Sequence, residues 1–127
     1  MGLTVKLKQS TPSIITLLPA GEIDSHTSET LDREITRALT EPVKTLVLDM
    51  SEVKFISSAG VGTITKAKTS GERKNCGFAM VNLQPQAKKV FEIIRLLPAL
   101  NIFESTEELD EYLGKIQRRI TDGDLKF

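Results

Sequence analysis

The periodicities of this chain predict an α/β domain, a small mixed sheet of about four to five strands with about four helices. Three observations carry that expectation. Leu3, Val5 and Leu7 alternate with Thr4, Lys6 and Lys8, the period of a strand with one face on a core. Leu46, Val47, Leu48 and Met50 form a near-continuous apolar run interrupted only by Asp49, the pattern of a strand covered on both faces. Elsewhere apolar residues recur at helical spacing, as in Leu31, Ile35, Ala38 and Leu39, or Ala87, Val90, Phe91 and Ile94.

Strand one stops at Ser10-Thr11-Pro12-Ser13, and Ile14 to Leu18 supplies a second strand, so the two should pair as a hairpin. Pro19 and Gly21 point to an edge position or an irregular exit for that second strand. Helix one runs from Glu29 to Thr40, with Pro42 closing the segment. Thr45 to Met50 is the central strand, followed by a short loop. Helix two then starts near Ser57-Ser58 and buries a narrow stripe of Val61, Ile64 and Thr65. Ser70-Gly71 before Glu72-Arg73-Lys74-Asn75 marks its end, which makes it short. Phe78 to Val81 is another strand, so strand, helix and strand should form a right-handed parallel crossover. Pro85 suits the first turn of helix three, which ends before Pro98. Ile102-Phe103 is a brief last strand, and Ser105-Thr106-Glu107-Glu108 is a capping box ahead of Leu109, Tyr112, Leu113 and Ile116 in helix four. The domain is thus expected to span 1–117, with 118–127 a mobile tail because no period is sustained there.

Composition narrows the function classes. At 127 residues with 39% hydrophobic content, one ordinary core is affordable without staples. Lys+Arg 17 balances Asp+Glu 17, so no global field draws the chain to nucleic acid or to an anionic membrane. Aromatic residues at 5% and the absence of Trp leave few platforms for stacking bases. The lone Cys76 cannot form an internal disulfide, and no run is long and apolar enough for a bilayer or a secretory signal, so a reducing cytoplasm is the expected setting. Other proteins are the expected partners.

The stretch from Asp49 to Gly62 carries the chemistry. It leads from a buried strand into Ser57 and Ser58 at the start of helix two. The first amides of a helix lack intrahelical partners and hold the positive end of the dipole, so a phosphate esterified there meets donors and a favourable field. The structural alternative for Ser58 is a plain N-cap. Gly60-Val61-Gly62-Thr63 lacks the third glycine of a dinucleotide fingerprint and matches no P-loop, so these glycines are read as allowing close approach to the sheet. Asp24 is expected to cap or orient the entry to helix one, with surface binding as the lesser reading. Asp49 and Asn82, at the ends of neighbouring strands, should tie loops to backbone amides. His26 and Cys76 sit in separate loops without metal-ligand spacing, and neither serine has a recognisable activating base, so no metal, cofactor or hydrolytic triad is expected.

Gly21-Glu22-Ile23-Asp24, Leu46-Val47-Leu48-Asp49-Met50-Ser51, Ile56-Ser57-Ser58-Ala59-Gly60-Val61 and Val81-Asn82-Leu83 ahead of Val90-Phe91-Glu92 together resemble the STAS domain, specifically bacterial anti-sigma factor antagonists. The resemblance covers almost the whole chain. It implies a STAS-like fold and a partner switch: the bare protein binds an anti-sigma factor that is also a serine kinase, a sigma factor is released, and phosphorylation ends the interaction. It further implies a PP2C-type phosphatase that reverses the modification, an acceptor at Ser58, and no catalytic role. Many family members carry aspartate before the acceptor and serine or threonine after it, whereas this chain has Ser57 and Ala59, which leaves Ser57 as the less favoured acceptor. The expected partner surface comprises Ser57, Ser58, Ala59, Gly60 and Val61, with Asp24 and Asn82 at its rim. The alternatives are a STAS module serving as a constitutive complex subunit or small-ligand sensor without phosphorylation, and, more remotely, a small hydrolase centred on Ser58.

Overall fold

A computed structural model describes residues 2–40, 42–94 and 102–112. The alternating amino-terminal strand, β1 (Leu3–Thr11), pairs antiparallel with β2 (Ile14–Ile23), Leu3 lying opposite Gly21 and Gln9 opposite Ile15. β2 runs past the apolar Ile14–Leu18 segment and is central, not an edge. β1 lines one side of it, and the other side is shared end to end by β3 (Thr45–Asp49) and β4 (Glu52–Ile56). β3 pairs with Ile14 to Leu17 and β4 with Ala20 to Ile23. Pro19, which has no N–H to donate, falls in the interval between the two neighbours, and so a proline survives in a central strand. Gly21 has φ +124, and a Cβ there would run into the Gly2 carbonyl.

β4 occupies what the sequence reads as a loop. Gly21 faces Val53 and Glu22 faces Phe55, so Lys54 is an extra residue on the β4 side. That bulge breaks the two-residue alternation: Val53 and Ile56 are buried while Lys54 and Phe55 are exposed. With β5 (Gly77–Val81) parallel to β3 and β6 (Ile102–Phe103) parallel to β5, the sheet has six strands in the order β1-β2-β3-β5-β6, with β4 beside β2.

One sheet face carries α1 (Ser28–Ala38), α2 (Ser58–Arg73) and α3 (Pro85–Ile94). Their apolar stripes close on Leu17, Ile23, Leu48, Met50 and Met80 through Leu31, Ile35, Ile64 and Phe91. Each such side chain, fully removed from water, contributes about 1.5–3 kcal/mol, so this face holds most of the driving force. On the opposite face a smaller cluster joins Val47, Ala79, Val81 and Leu109, the last from residues 106–112, which are helical (α4). The Ser105 hydroxyl accepts the Glu108 N–H at 3.2 Å, as a cap for α4 should. Leu113, Ile116 and the expected tail at 118–127 lie outside the described residues.

α2 is longer than its sequence suggests and passes through Ser70 and Gly71. Its stop is Asn75, in the left-handed region at φ 58. Asn75 N–H donates to Glu72 O at 3.1 Å and Cys76 N–H to Gly71 O at 2.8 Å, the paired bonds of a Schellman ending. Gly71 is needed inside the helix because a Cβ there would stand 3.0 Å from the Cys76 carbonyl oxygen.

Candidate functional site

The bulge in β4 delivers Ile56 to the carboxyl end of the sheet, beside the end of β2, where Ser57 N–H donates to Ile23 O at 2.8 Å. Ser57 is extended (φ −98, ψ 174) and is the N-cap of α2; its hydroxyl accepts the Gly60 N–H at 3.4 Å. The capping role read for Ser58 therefore belongs one residue earlier, because a cap must sit outside the helical backbone conformation. Ser58 is the first helical residue. Its side chain is exposed and takes no hydrogen-bond partner among the described residues, and Ala59 is exposed beside it.

Gly60 sets the closeness of this turn to the sheet. A Cβ there would lie 2.6 Å from Cγ2 of Ile23 and 2.7 Å from Cγ1 of Ile56. Gly60 and Val61 are buried, so of the five helix-start residues expected at a partner surface these two support it from beneath. Gly62 faces outward, where an added Cβ would meet nothing within 4 Å. The Ser58 and Ala59 amides have no carbonyl a turn earlier to bind, which leaves the positive pole of α2 turned toward solvent at Ser58.

Asp24 borders this turn directly, following the Ile23 that Ser57 bonds. Its Oδ1 accepts the N–H groups of His26 and Thr27, each at 2.9 Å, and Ser28 N–H reaches its carbonyl at 2.9 Å. The Thr27 hydroxyl gives its proton to Glu22 O at 2.6 Å and accepts the Asp24 N–H at 2.9 Å. Asp24 thus orients the entry to α1 through the amides ahead of it, while the N-cap residue itself is Thr27. The Thr27 amide foremost, with the His26 amide, holds the Asp24 carboxyl below its ordinary value against the opposing effect of desolvation.

Asn82 lies after β5, separated from Ser58 by the length of β4. Its backbone is left-handed at φ 60, and Nδ2 donates to Asp49 Oδ1 at 3.2 Å and to Thr106 Oγ1 at 3.4 Å. Asp49 Oδ1 also accepts the Ser51 N–H at 3.0 Å. Two further amides, which the sequence reading passed over, continue this row. Gln84 Nε2 donates to Ser51 O at 2.5 Å; the Gln86 carboxamide accepts Ile56 N–H at 2.9 Å and donates to Ile56 O at 3.3 Å. Gln84 and Gln86 reach backbone groups 33 and 30 residues away in sequence, so no local signal marks them.

A groove of about 330 Å3 lies on the other sheet face, lined by Lys8, Ile14, Thr16, Val47, Asp49 and Leu109 among others, and neither serine reaches it. Burial pushes the Cys76 thiol up, which makes it a packing residue. Among the described residues no group of three or more His, Cys, Asp or Glu is placed to hold a metal, and no helix is long and apolar enough to cross a membrane.

The fold is a small α/β domain that presents an exposed serine on the first turn of α2. The chain belongs to the STAS domain family, which its residues 6–109 match. It is 24% identical over 102 residues to the anti-sigma-B factor antagonist of Listeria monocytogenes, a match spanning 80% of this chain and 90% of that protein. The anti-sigma factor antagonist SpoIIAA in its unphosphorylated form superimposes with a TM-score of 0.73 at 24% identity, covering 87% of this chain and 97% of SpoIIAA. The Bacillus cell fate determinant SpoIIAA in its phosphorylated form superimposes at 0.66, again at 24% identity, covering 86% and 99%.

Proposed function

We propose that this chain is an anti-sigma factor antagonist whose binding is switched off by phosphorylation of Ser58. The bare chain binds an anti-sigma factor that is also a serine kinase, in the cytoplasm, and so frees a sigma factor. That kinase transfers phosphate to Ser58, and a PP2C-type phosphatase removes it; the chain is substrate, not enzyme, and needs no cofactor. The observation that carries this reading is the exposed Ser58 hydroxyl at the amino end of α2, without a hydrogen-bond partner among the described residues. Ser57, the rival acceptor, is occupied as the cap. The names of the Listeria relative and of SpoIIAA support the same reading.

The physics of the switch is local. A phosphate adds about −1.5 to −2 charge and three acceptor oxygens, which the helix start tolerates. A partner docked over Ser58 and Ala59, with Asp24, Ser57 and Asn82 at the rim, instead meets a desolvated charge. Domain stability changes little while the interface weakens.

Intact-mass measurement on the chain purified from its own cells, beside Ser58→Ala, tests this. The expected result is one phosphate on the unaltered chain and none on the variant, with Ser58→Ala retaining the partner. A chain that stays bare under every growth condition, its complex unaffected, would favour a constitutive subunit or a sensor using the groove by Lys8 and Thr16.

A further inference from the structure

Among the described residues β4 has a strand neighbour only on its β2 side, since β5 pairs with β3 and β6. An unpaired edge that ends at a functional turn leaves that turn loosely held. Two side-chain amides from the β5–α3 segment meet backbone groups on that open side: Gln84 bonds Ser51 O just ahead of β4, and Gln86 bonds both backbone groups of Ile56 within it. Ile56 is the last β4 residue, two before Ser58. Ser57 N–H is meanwhile bonded to Ile23 O on the opposite side. The peptide groups leading into the acceptor are therefore clamped from both sides, by a strand on one and by a single carboxamide on the other.

We propose that Gln86 is a positioning residue for the modification of Ser58, holding the end of β4 so that the hydroxyl is presented in one orientation. The proposal rests on the reading of Ser58 as the phosphoacceptor. A carboxamide is the side chain this task requires, since it offers one acceptor and one donor at the spacing of a strand's N–H and C=O. Gln86 is anchored for it by its neighbours: Pro85 starts α3 and Ala87 is buried in the core. Because the amide fills both Ile56 groups, this end of β4 is also closed to strand addition by another chain.

The test uses the full chain, ATP, and the host's serine kinase purified by the label it gives the unaltered chain. Gln86→Met keeps the length and removes both bonds; Gln86→Glu keeps the acceptor for Ile56 N–H and loses the donor. In the isolated chain, amide exchange at Ile56 should quicken about tenfold in Gln86→Met, the factor expected for one hydrogen bond, and less in Gln86→Glu. Well below the melting temperature, kcat for Ser58 labelling should fall by a similar factor with KM for ATP unchanged, and Gln86→Glu should recover part of it. A Gln86→Met chain labelled at the unaltered rate, or slowed only in proportion to its unfolded fraction, overturns the proposal. A chain that takes no label at all overturns the phosphoacceptor reading and this role with it, and the Ile56 exchange, read without kinase, tells that failure from failure of the clamp.

Discussion

Gly60 presses against Ile23 so closely that a single added Cβ would lie 2.6 Å from the Ile23 Cγ2, with the Ile23 carbonyl oxygen at 3.1 Å behind it. The first turn of α2 rests on the ends of β2 and β4 because one residue lacks a side chain. Ile23 and Ile56 are β-branched, buried and unable to swing aside. Gly60→Ala should therefore destabilise by about 1–3 kcal/mol from overpacking, even though alanine is the better helix former by about 1 kcal/mol. Urea unfolding measures this; a variant as stable as the unaltered chain would mean the turn sits further from the sheet.

The Asp24 carboxyl predicts an acid-side weakness. Its folded value lies below its unfolded one, chiefly through the Thr27 amide. A depressed carboxyl contributes stability that is complete above the ordinary carboxylate value and is lost as pH falls through the lower folded value. Thermal melts from neutral to acid pH should show that loss. Asp24→Asn should be less stable at neutral pH and should show a flatter acid limb, since an amide accepts without charge.

Most of the strand and helix order was legible because hydrophobic periodicity follows burial: Leu31, Ile35 and Ala38 are buried along α1, and Leu3 and Val5 are partly buried along β1, although Leu7 at the far end of that alternation is exposed. The misses share one cause, a local device that breaks the period. Lys54 is inserted as a bulge and hides β4; of the two readings of Pro19 and Gly21, the irregular exit is found at Gly21, and the edge is not, because the interval between β3 and β4 is invisible in one dimension. Gly71 looks like a helix stop when its reason is the approach of Cys76. At the site, Ser57 and Ser58 were placed at the right turn, yet which one caps depends on a backbone angle, ψ 174 at Ser57, that composition does not carry. Gln84 and Gln86 act through backbone groups distant in sequence, so no local pattern assigns them a role.

Asn82 separates two contributions. Its φ of 60 favours glycine or asparagine, and its side chain ties Asp49 and Thr106. Asn82→Gly keeps the backbone and loses the bonds; Asn82→Ala loses both. Alanine should therefore be the costlier by about 1–2 kcal/mol, the penalty for a left-handed residue with a Cβ. Chemical unfolding of the two variants decides it, and equal stabilities would show that the side chain matters and the backbone angle does not.

The two adjacent serines should part cleanly when each is truncated. Ser57→Ala removes an oxygen that accepts the Gly60 N–H across 3.4 Å, a long bond, so the loss should fall at the low end of the cap range, about 0.5 kcal/mol. Ser58→Ala removes an exposed hydroxyl with no described partner, and its stability should stay within about 0.5 kcal/mol of the unaltered chain. The order reverses for the switch. Ser58→Ala should abolish phosphate incorporation and leave the chain permanently able to bind its anti-sigma partner, while Ser57→Ala should still be labelled. Ser58→Asp puts a charge where the docked partner excludes water and should weaken binding at least tenfold, because a buried unpaired charge costs more than one hydrogen bond. Calorimetric titration of partner into each variant reads the difference, and an aspartate variant that binds as tightly as serine would end the case for a charge-driven switch at this turn.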